Sequence, residues 1–213
     1  MRMVILGPPG SGKGTRAQII GKIYDIPVIT TGDMLRDSAS RGTEQGKIAK
    51  AYMEKGELVP DEIVIGVMRE RLRKPDVGVG FILDGYPRNL TQARALDLML
   101  EEKGESLDFV LNVSAKPKII ISRLSLRRSC PKCGAVYHLK DKPPKTDEIC
   151  DECGAKLIQR SDDKEEVIMH RLKVYEEETS PLLQMYGRMG KVREISGDLS
   201  IGEIPEAIRR VLA

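Results

Sequence analysis

The stretch that most restricts the fold lies within the first fifteen residues. The apolar run Met3-Val4-Ile5-Leu6 leads straight into Gly7-Pro8-Pro9-Gly10-Ser11-Gly12-Lys13-Gly14-Thr15. A strand that enters a glycine-rich turn and then a helix aims successive backbone N–H groups at one point, where the helix dipole also favours an anion. Glycine permits conformations and close approaches that a Cβ would block. Lys13 adds a point charge within reach of terminal phosphates, so Gly10 to Thr15 read as a phosphate cradle. Gly14 stands where many such loops carry a Ser or Thr whose hydroxyl reaches Mg²⁺. A metal there must rest mainly on phosphate oxygens and water. Asp84, at the end of the apolar run Phe81-Ile82-Leu83, is a candidate carboxylate to assist, although a turn or cap would also suit it.

The rest of the chain repeats this alternation. Val28–Thr30, Phe81–Leu83, Phe109–Val113 and Val192–Ile195 join Met3–Leu6 as short apolar runs, read as strands buried on both faces. Helical patterns occupy Lys13–Tyr24, Asp61–Arg73, Leu90–Lys103, Pro117–Leu126, Asp163–Met185 and Pro205–Leu212. Alternating strands and helices imply an α/β fold, a parallel five-stranded sheet flanked by helices. Two stretches break the rhythm. Residues 31–59 are helical without a strand, and residues 128–160 hold all four cysteines among prolines and glycines, which suggests a metal-pinned subdomain.

The cysteines form two knuckles, Cys130-Pro-Lys-Cys133-Gly and Cys150-Asp-Glu-Cys153-Gly, with 16 residues between them. Paired knuckles present four thiolates tetrahedrally to a metal such as Zn²⁺. Disulfides or unpaired buried thiols are the alternatives. The chain shows neither a signal-peptide pattern nor a membrane-length apolar run, so a cytoplasmic location with reduced thiols is expected. A segment of about thirty residues buries too little core to stand alone and needs such a staple. Charged residues make up 31% of the 213, yet the net charge is only +3. That balance, with few aromatics, argues against a nucleic-acid or membrane-surface binder.

Arginines follow the phosphate-loop landmarks: Arg36, Arg88, Arg123, Arg127, Arg128, Arg160 and Arg171. Arg88 lies just past the Asp84 strand end, and guanidinium forks bind phosphate oxygens bidentately. His138 and His170, the two histidines, are assigned no role. Transfer to a phosphate acceptor needs no base, because a phosphomonoester is largely deprotonated at neutral pH, with a second pKa near ~6.

The segments GPPGSGKGT, TTGDMLR, GELVPDEI, GFILDGYPR and QRSDDKEEVIMHRL occur in the order and approximate spacing of bacterial adenylate kinases, over essentially the whole chain. The chain resembles the members with a long cysteine-bearing lid. The resemblance implies reversible transfer from MgATP to AMP, giving two ADP, by a cytoplasmic monomer. It implies a core of residues 1–30, 60–126 and 164–213, an AMP-binding insert at 31–59, and a lid at 127–163 with structural zinc on Cys130, Cys133, Cys150 and Cys153. By position, Gly10, Ser11, Gly12, Lys13, Gly14, Thr15, Arg123, Arg127, Val136, Tyr137 and Leu199 would bind ATP. Thr31, Arg36, Glu57, Leu58, Val59, Gly85, Tyr86, Pro87, Arg88 and Gln92 would bind AMP. Arg160 and Arg171 would lie across the transfer path, and Asp162 and Asp163 match the lid hinge. The Gln92 amide suits a base edge, since it both donates and accepts. Tyr86 departs from a phenylalanine common in the family, a hydroxyl that would tune AMP affinity. A UMP- or CMP-type kinase, or a nucleotide-dependent regulator without transfer activity, remain the rivals.

Overall fold

The computed structural model describes residues 1–212. Five strands, β1 (Arg2–Leu6), β2 (Val28–Thr30), β3 (Phe81–Asp84), β4 (Phe109–Ser114) and β7 (Val192–Ser196), form a parallel sheet in the order β2-β3-β1-β4-β7. The apolar runs are continuous because alternate residues enter two cores. Val4 and Leu6 of β1, Phe81 and Leu83 of β3, and Val110 of β4 pack on one face. Met3, Ile5, Ile82, Leu111 and Val113 pack on the other.

The first face is covered by α2 (Thr31–Ser40), α3 (Glu44–Lys55), α4 (Asp61–Arg71), α5 (Leu90–Glu101) and α8 (Pro181–Arg188). On α4 the spacing of Val64 and Met68, continued by Leu72 just beyond the helix, holds all three buried. The second face carries α1 (Lys13–Tyr24) and α9 (Ile204–Leu212), whose Ala17, Ile20, Ile204, Ala207 and Ile208 are buried. Ile120 and Leu124 of α6 (Pro117–Ser125) meet Ile168 of α7 (Glu165–Val174) in a separate small cluster. In the cysteine segment, β5 (Arg127–Ser129) and β6 (Val136–His138) pair antiparallel, a ladder too short and polar to show in the sequence pattern.

The helix expected over Asp163–Met185 is interrupted. A 3₁₀ turn covers Ser161–Asp163, Lys164 is extended, and α7 then ends in a π turn over Tyr175–Thr179. Pro181 is the cause: it lacks an N–H and its ring crowds the preceding turn. The Ser180 N–H donates instead to the Tyr175 carbonyl, 2.9 Å away and five residues back.

In the sheet β1 lies between β3 and β4, and the chain runs from β1 to β2 on one side and from β4 to β7 on the other. The crevice beyond the carboxyl end of β1 is where such sheets hold ligands. The 31–59 segment is set over that crevice by a close crossing of α2 and α3. A Cβ on Gly46 of α3 would lie 2.3 Å from the Ser38 carbonyl carbon and 2.4 Å from the Ala39 nitrogen. Helix propensity alone makes Gly46→Ala stabilising by about 1 kcal/mol. The crossing reverses the sign: urea unfolding should show a loss of about 1–3 kcal/mol, and a gain would mean that α2 and α3 do not touch there.

Candidate active site

The turn between β1 and α1 is shaped by contacts as much as by glycine conformation. Gly12 holds φ +89, and a Cβ on it would lie 2.6 Å from the Arg16 guanidinium. Lys13 is half-buried, and its Nζ donates to the Pro8 carbonyl at 3.2 Å. Gly14 answers the question of the missing hydroxyl. A Cβ there would stand 3.2 Å from Asp84 Oδ2, so the carboxylate occupies the space beside the loop that a Ser or Thr side chain would enter. A hard anionic oxygen at this point suits Mg²⁺.

From β3 the chain turns through Gly85 and a cis Tyr86–Pro87 peptide to Arg88. The Arg88 Nε donates to the Gly85 carbonyl at 3.1 Å, and its backbone N–H donates to Gln92 Oε1 at 2.8 Å. Thr179, on the π turn, donates its hydroxyl to the Arg88 carbonyl at 2.7 Å. The irregularity in α7 thus holds the Arg88 loop from behind. Gln92 Nε2 donates to Asp61 Oδ1 at 2.8 Å. Both ends of the amide are engaged by protein, leaving one N–H and one lone pair for a ligand.

One cleft of about 1400 Å³ is lined by Gly10, Gly12, Lys13, Gly14 and Thr15, by Thr31, Arg36, Glu57, Leu58 and Val59, and by Asp84, Gly85, Arg88 and Gln92. Its walls continue with Arg123, Arg127, Val136, Tyr137, Arg160, Arg171 and Leu199. Three residues assigned to ATP or AMP from the sequence lie apart from it. Pro87 lines a smaller adjoining pocket shared with Lys13 and Arg171. Ser11 is fully buried, its hydroxyl without a partner among the described residues. Tyr86 is likewise enclosed in the core, and its hydroxyl donates to the Gln92 carbonyl at 3.0 Å.

Carboxylates hold several of the arginines. Asp163 accepts from Arg127 Nε at 2.8 Å and Nη2 at 2.5 Å, and Asp162 lies 2.9 Å from Arg171. Arg36 pairs with Asp33 at 2.5 Å, and Arg160 approaches the same carboxylate at 3.7 Å. Asp162 and Asp163 were matched only to the lid hinge from sequence and Asp33 was given no role; Asp33 meets Arg36 within one turn of α2, whereas Asp163–Arg127 and Asp33–Arg160 join residues far apart in the chain.

In the cysteine segment the four Sγ atoms lie within 4.8 Å of one another, with Cys130–Cys153 at 3.4 Å and Cys133–Cys150 at 3.5 Å. A tetrahedral ion with Zn–S bonds of about 2.3 Å would set its sulfurs about 3.8 Å apart, so the cluster fits the metal. None of the four is disulfide-bonded. Tyr137 links this cluster to the cleft: its hydroxyl accepts from the Asp151 N–H at 2.8 Å and lies 3.5 Å from Cys150 Sγ.

The family model for adenylate kinase matches residues 5–191. The chain belongs to the adenylate kinase family. It is 52% identical over 212 residues to the adenylate kinase of Caldanaerobacter subterraneus subsp. tengcongensis, covering 100% of this chain and 96% of that protein. Adenylate kinases of Archaeoglobus fulgidus and Methanothrix thermoacetophila are 50% and 49% identical, each over 100% of this chain and 98% and 99% of theirs.

Within this adenylate kinase fold the cleft is positively biased. Burial pulls the Lys13 pKa down to about 8; Asp84 opposes the shift, while Arg88, Arg171 and Arg127 add to it. Burial pushes Asp84 up, against Lys13 and Arg88. Arg88 is lowered to about 10 by burial and then by Arg171, and stays charged at neutral pH. Asp162 sits below the ordinary carboxylate value because Arg171, Arg127, Arg36 and Arg160 outweigh its burial. His138, given no role from sequence, also lines the cleft. Its Nδ1 lies 2.9 Å from the Asp141 N–H and 3.2 Å from the Asp141 carboxylate.

A polyphosphate on the loop favours protonated Lys13 and raises its pKa. Above pH 8 the empty site has shed that proton, so binding must take one up. Calorimetry of tripolyphosphate binding in buffers of different ionisation enthalpy should show no uptake by Lys13 near pH 6.5, and uptake with weakening affinity from pH 8 to 9.5. Equal proton uptake at both ends of that range would contradict the Lys13 assignment.

Proposed function

We propose that the chain transfers the terminal phosphoryl group of ATP reversibly to AMP, giving two ADP, and so maintains adenine nucleotide balance in the cytoplasm as a monomer. Membership of the adenylate kinase family makes it a nucleoside monophosphate kinase and a phosphotransferase. The observation that carries the reading is the convergence of Lys13, Asp84 and Arg88, from separate loops and strand ends, on one cleft. In this reading residues 1–30, 60–126 and 164–213 are the core, 31–59 the AMP-binding insert and 127–163 the lid. Its only partners are ATP, AMP and ADP, with no role for nucleic acid or membrane. Among the described residues, no helix is long and apolar enough to cross a membrane.

ATP phosphates lie on the amides and ammonium of the loop from Gly10 to Thr15, with the adenine toward Leu199 and the Val136–Tyr137 strand. AMP enters beneath α2 and α3, between Thr31, the Glu57–Val59 turn and the Gly85–Gln92 loop, with Arg36 and Arg88 on its phosphate. An oxygen of that phosphate, already deprotonated, attacks the γ-phosphorus as the bond to the β–γ bridging oxygen breaks. The electron pair leaves with ADP, and no side chain has to move a proton. Arg123, Arg127, Arg160 and Arg171 face the transferring group and stabilise its charge. Asp162 and Asp163 hold two of these arginines in place beforehand, so the charges need little reorganisation. Closure of lid and insert excludes water that would otherwise accept the phosphoryl group. Magnesium bound with the nucleotide neutralises phosphate oxygens, and Asp84 is the residue that would hold it, through water.

A coupled assay on the purified protein should yield ADP from ATP plus AMP, with other monophosphates poorer acceptors. ATP binding without ADP formation would favour a regulator instead. Lys13→Ala and Arg88→Ala should each lower turnover at least ~100-fold in folded protein; near-normal turnover in either would remove that residue from the site.

Zinc on Cys130, Cys133, Cys150 and Cys153 is structural in this reading: the four thiolates leave no open position for catalysis. The lid's own core is small, with Cys130, Tyr137, Cys150 and Leu157 as its buried members. Metal removal by chelation under reducing conditions should therefore lower the thermal midpoint by several degrees (about 1–2 kcal/mol or more). An unchanged midpoint in metal-free protein would contradict a structural metal.

A further inference from the structure

Arg16, in the second turn of α1, is only 2% exposed, and among the described residues it forms no ion pair. Its guanidinium spans two elements far apart in sequence. Nη1 donates to the Gly12 carbonyl at 3.2 Å, and Nη2 donates to the Ser196 carbonyl, at the end of β7, at 2.6 Å. The Arg16 backbone N–H donates to the same Gly12 carbonyl at 3.2 Å. The loop after Ser196 is pinned tightly. Arg123 Nη1 donates to the Gly197 carbonyl at 2.9 Å, and a Cβ on Gly197 would lie 2.5 Å from the Ser11 carbonyl. Two residues further on is Leu199, which lines the cleft.

A buried cation with carbonyl partners and no carboxylate in contact, with Asp198 favouring it only at a distance and Arg123 opposing it, is costly to retain. The return here is geometric: a planar fork fixes two carbonyls at once, which a point-charge ammonium cannot do. We infer that Arg16 is a positioning residue, a strut that sets the separation between the phosphate loop and the Ser196–Leu199 loop, and thereby the fit of a ligand that must occupy both. The inference rests on the reading of this cleft as the ATP site, with the triphosphate on the loop and the adenine at Leu199. It assigns Arg16 no contact with the reacting atoms.

The strut and the bare charge make different predictions. If Arg16 works as a strut, Arg16→Lys and Arg16→Gln both disconnect the loops. Each should raise KM for ATP by about tenfold, the scale of one lost hydrogen bond to a charged group, with a smaller change in kcat and KM for AMP within about twofold. Tripolyphosphate, which fills only the phosphate end, should inhibit both variants nearly as well as wild type. Full rescue of ATP binding by Arg16→Lys, or a parallel loss of tripolyphosphate and ATP affinity in Arg16→Gln, would overturn the strut. A general structural defect would move the AMP and ATP constants together, and that outcome also counts against it. Should neither variant fold, wild-type protein decides: tripolyphosphate, though too short to reach Leu199, should slow amide exchange over Gly197–Leu199, and unchanged exchange overturns the inference. Wild-type ADP formation from ATP plus AMP tests the functional reading separately, and its failure would be seen before any variant is made.

Discussion

Lys13, Arg88 and Arg171 share the carboxyl end of the sheet, and each raises the cost of keeping the others charged. All three are half-buried in the wall of the cleft, and the carboxylates present only partly compensate. Asp84 faces Lys13, while Asp162 and Asp163 are committed to Arg171 and Arg127. Such an arrangement is unfavourable in the empty protein and favourable once a polyanion enters. The rest of the structure is what holds these groups together against their repulsion.

The sheet does this through its burial on both faces. Strands packed into two cores leave little freedom for their ends, so Leu6, Asp84 and Ser196 deliver their loops to fixed positions. Irregular elements then serve the same end. The π turn forced by Pro181 brings Thr179 to the Arg88 carbonyl, and the 3₁₀ turn at Ser161–Asp163 presents two carboxylates to arginines from other elements. The close crossing at Gly46 sets one wall of the cleft. In the cysteine segment four sulfurs replace a core too small to hold a wall by apolar burial.

Much of this was legible before folding. The five strands fall within a residue or so of their apolar runs, because residues buried on both faces leave an unbroken signal. The glycine-rich turn after β1 and the place of Asp84 at the end of β3 are visible because their geometry is local: a strand end, a turn, a helix start. The cysteine knuckles are visible for the same reason. Strand order, the pairing of β5 with β6 and the break in α7 were not visible, since they depend on long-range partners or on one proline acting within a strong helical pattern. Arg16 was passed over because an arginine in the first helix reads as solvated surface until β7 is placed beside it. The Tyr86 hydroxyl, expected to tune AMP affinity, lies inside the core and donates to the Gln92 carbonyl.

The central claim is that this scaffold clamps two mutually repelling anionic ligands end to end. It is tested most directly by a crystal structure with a bisubstrate mimic, two adenosines joined by a chain of phosphates. The account predicts Lys13, Arg36 and Arg88 within hydrogen-bond distance of those phosphates, with the lid arginines closed over the middle of the chain. The same side chains turned away from the phosphates, or the mimic bound outside the cleft, would contradict it.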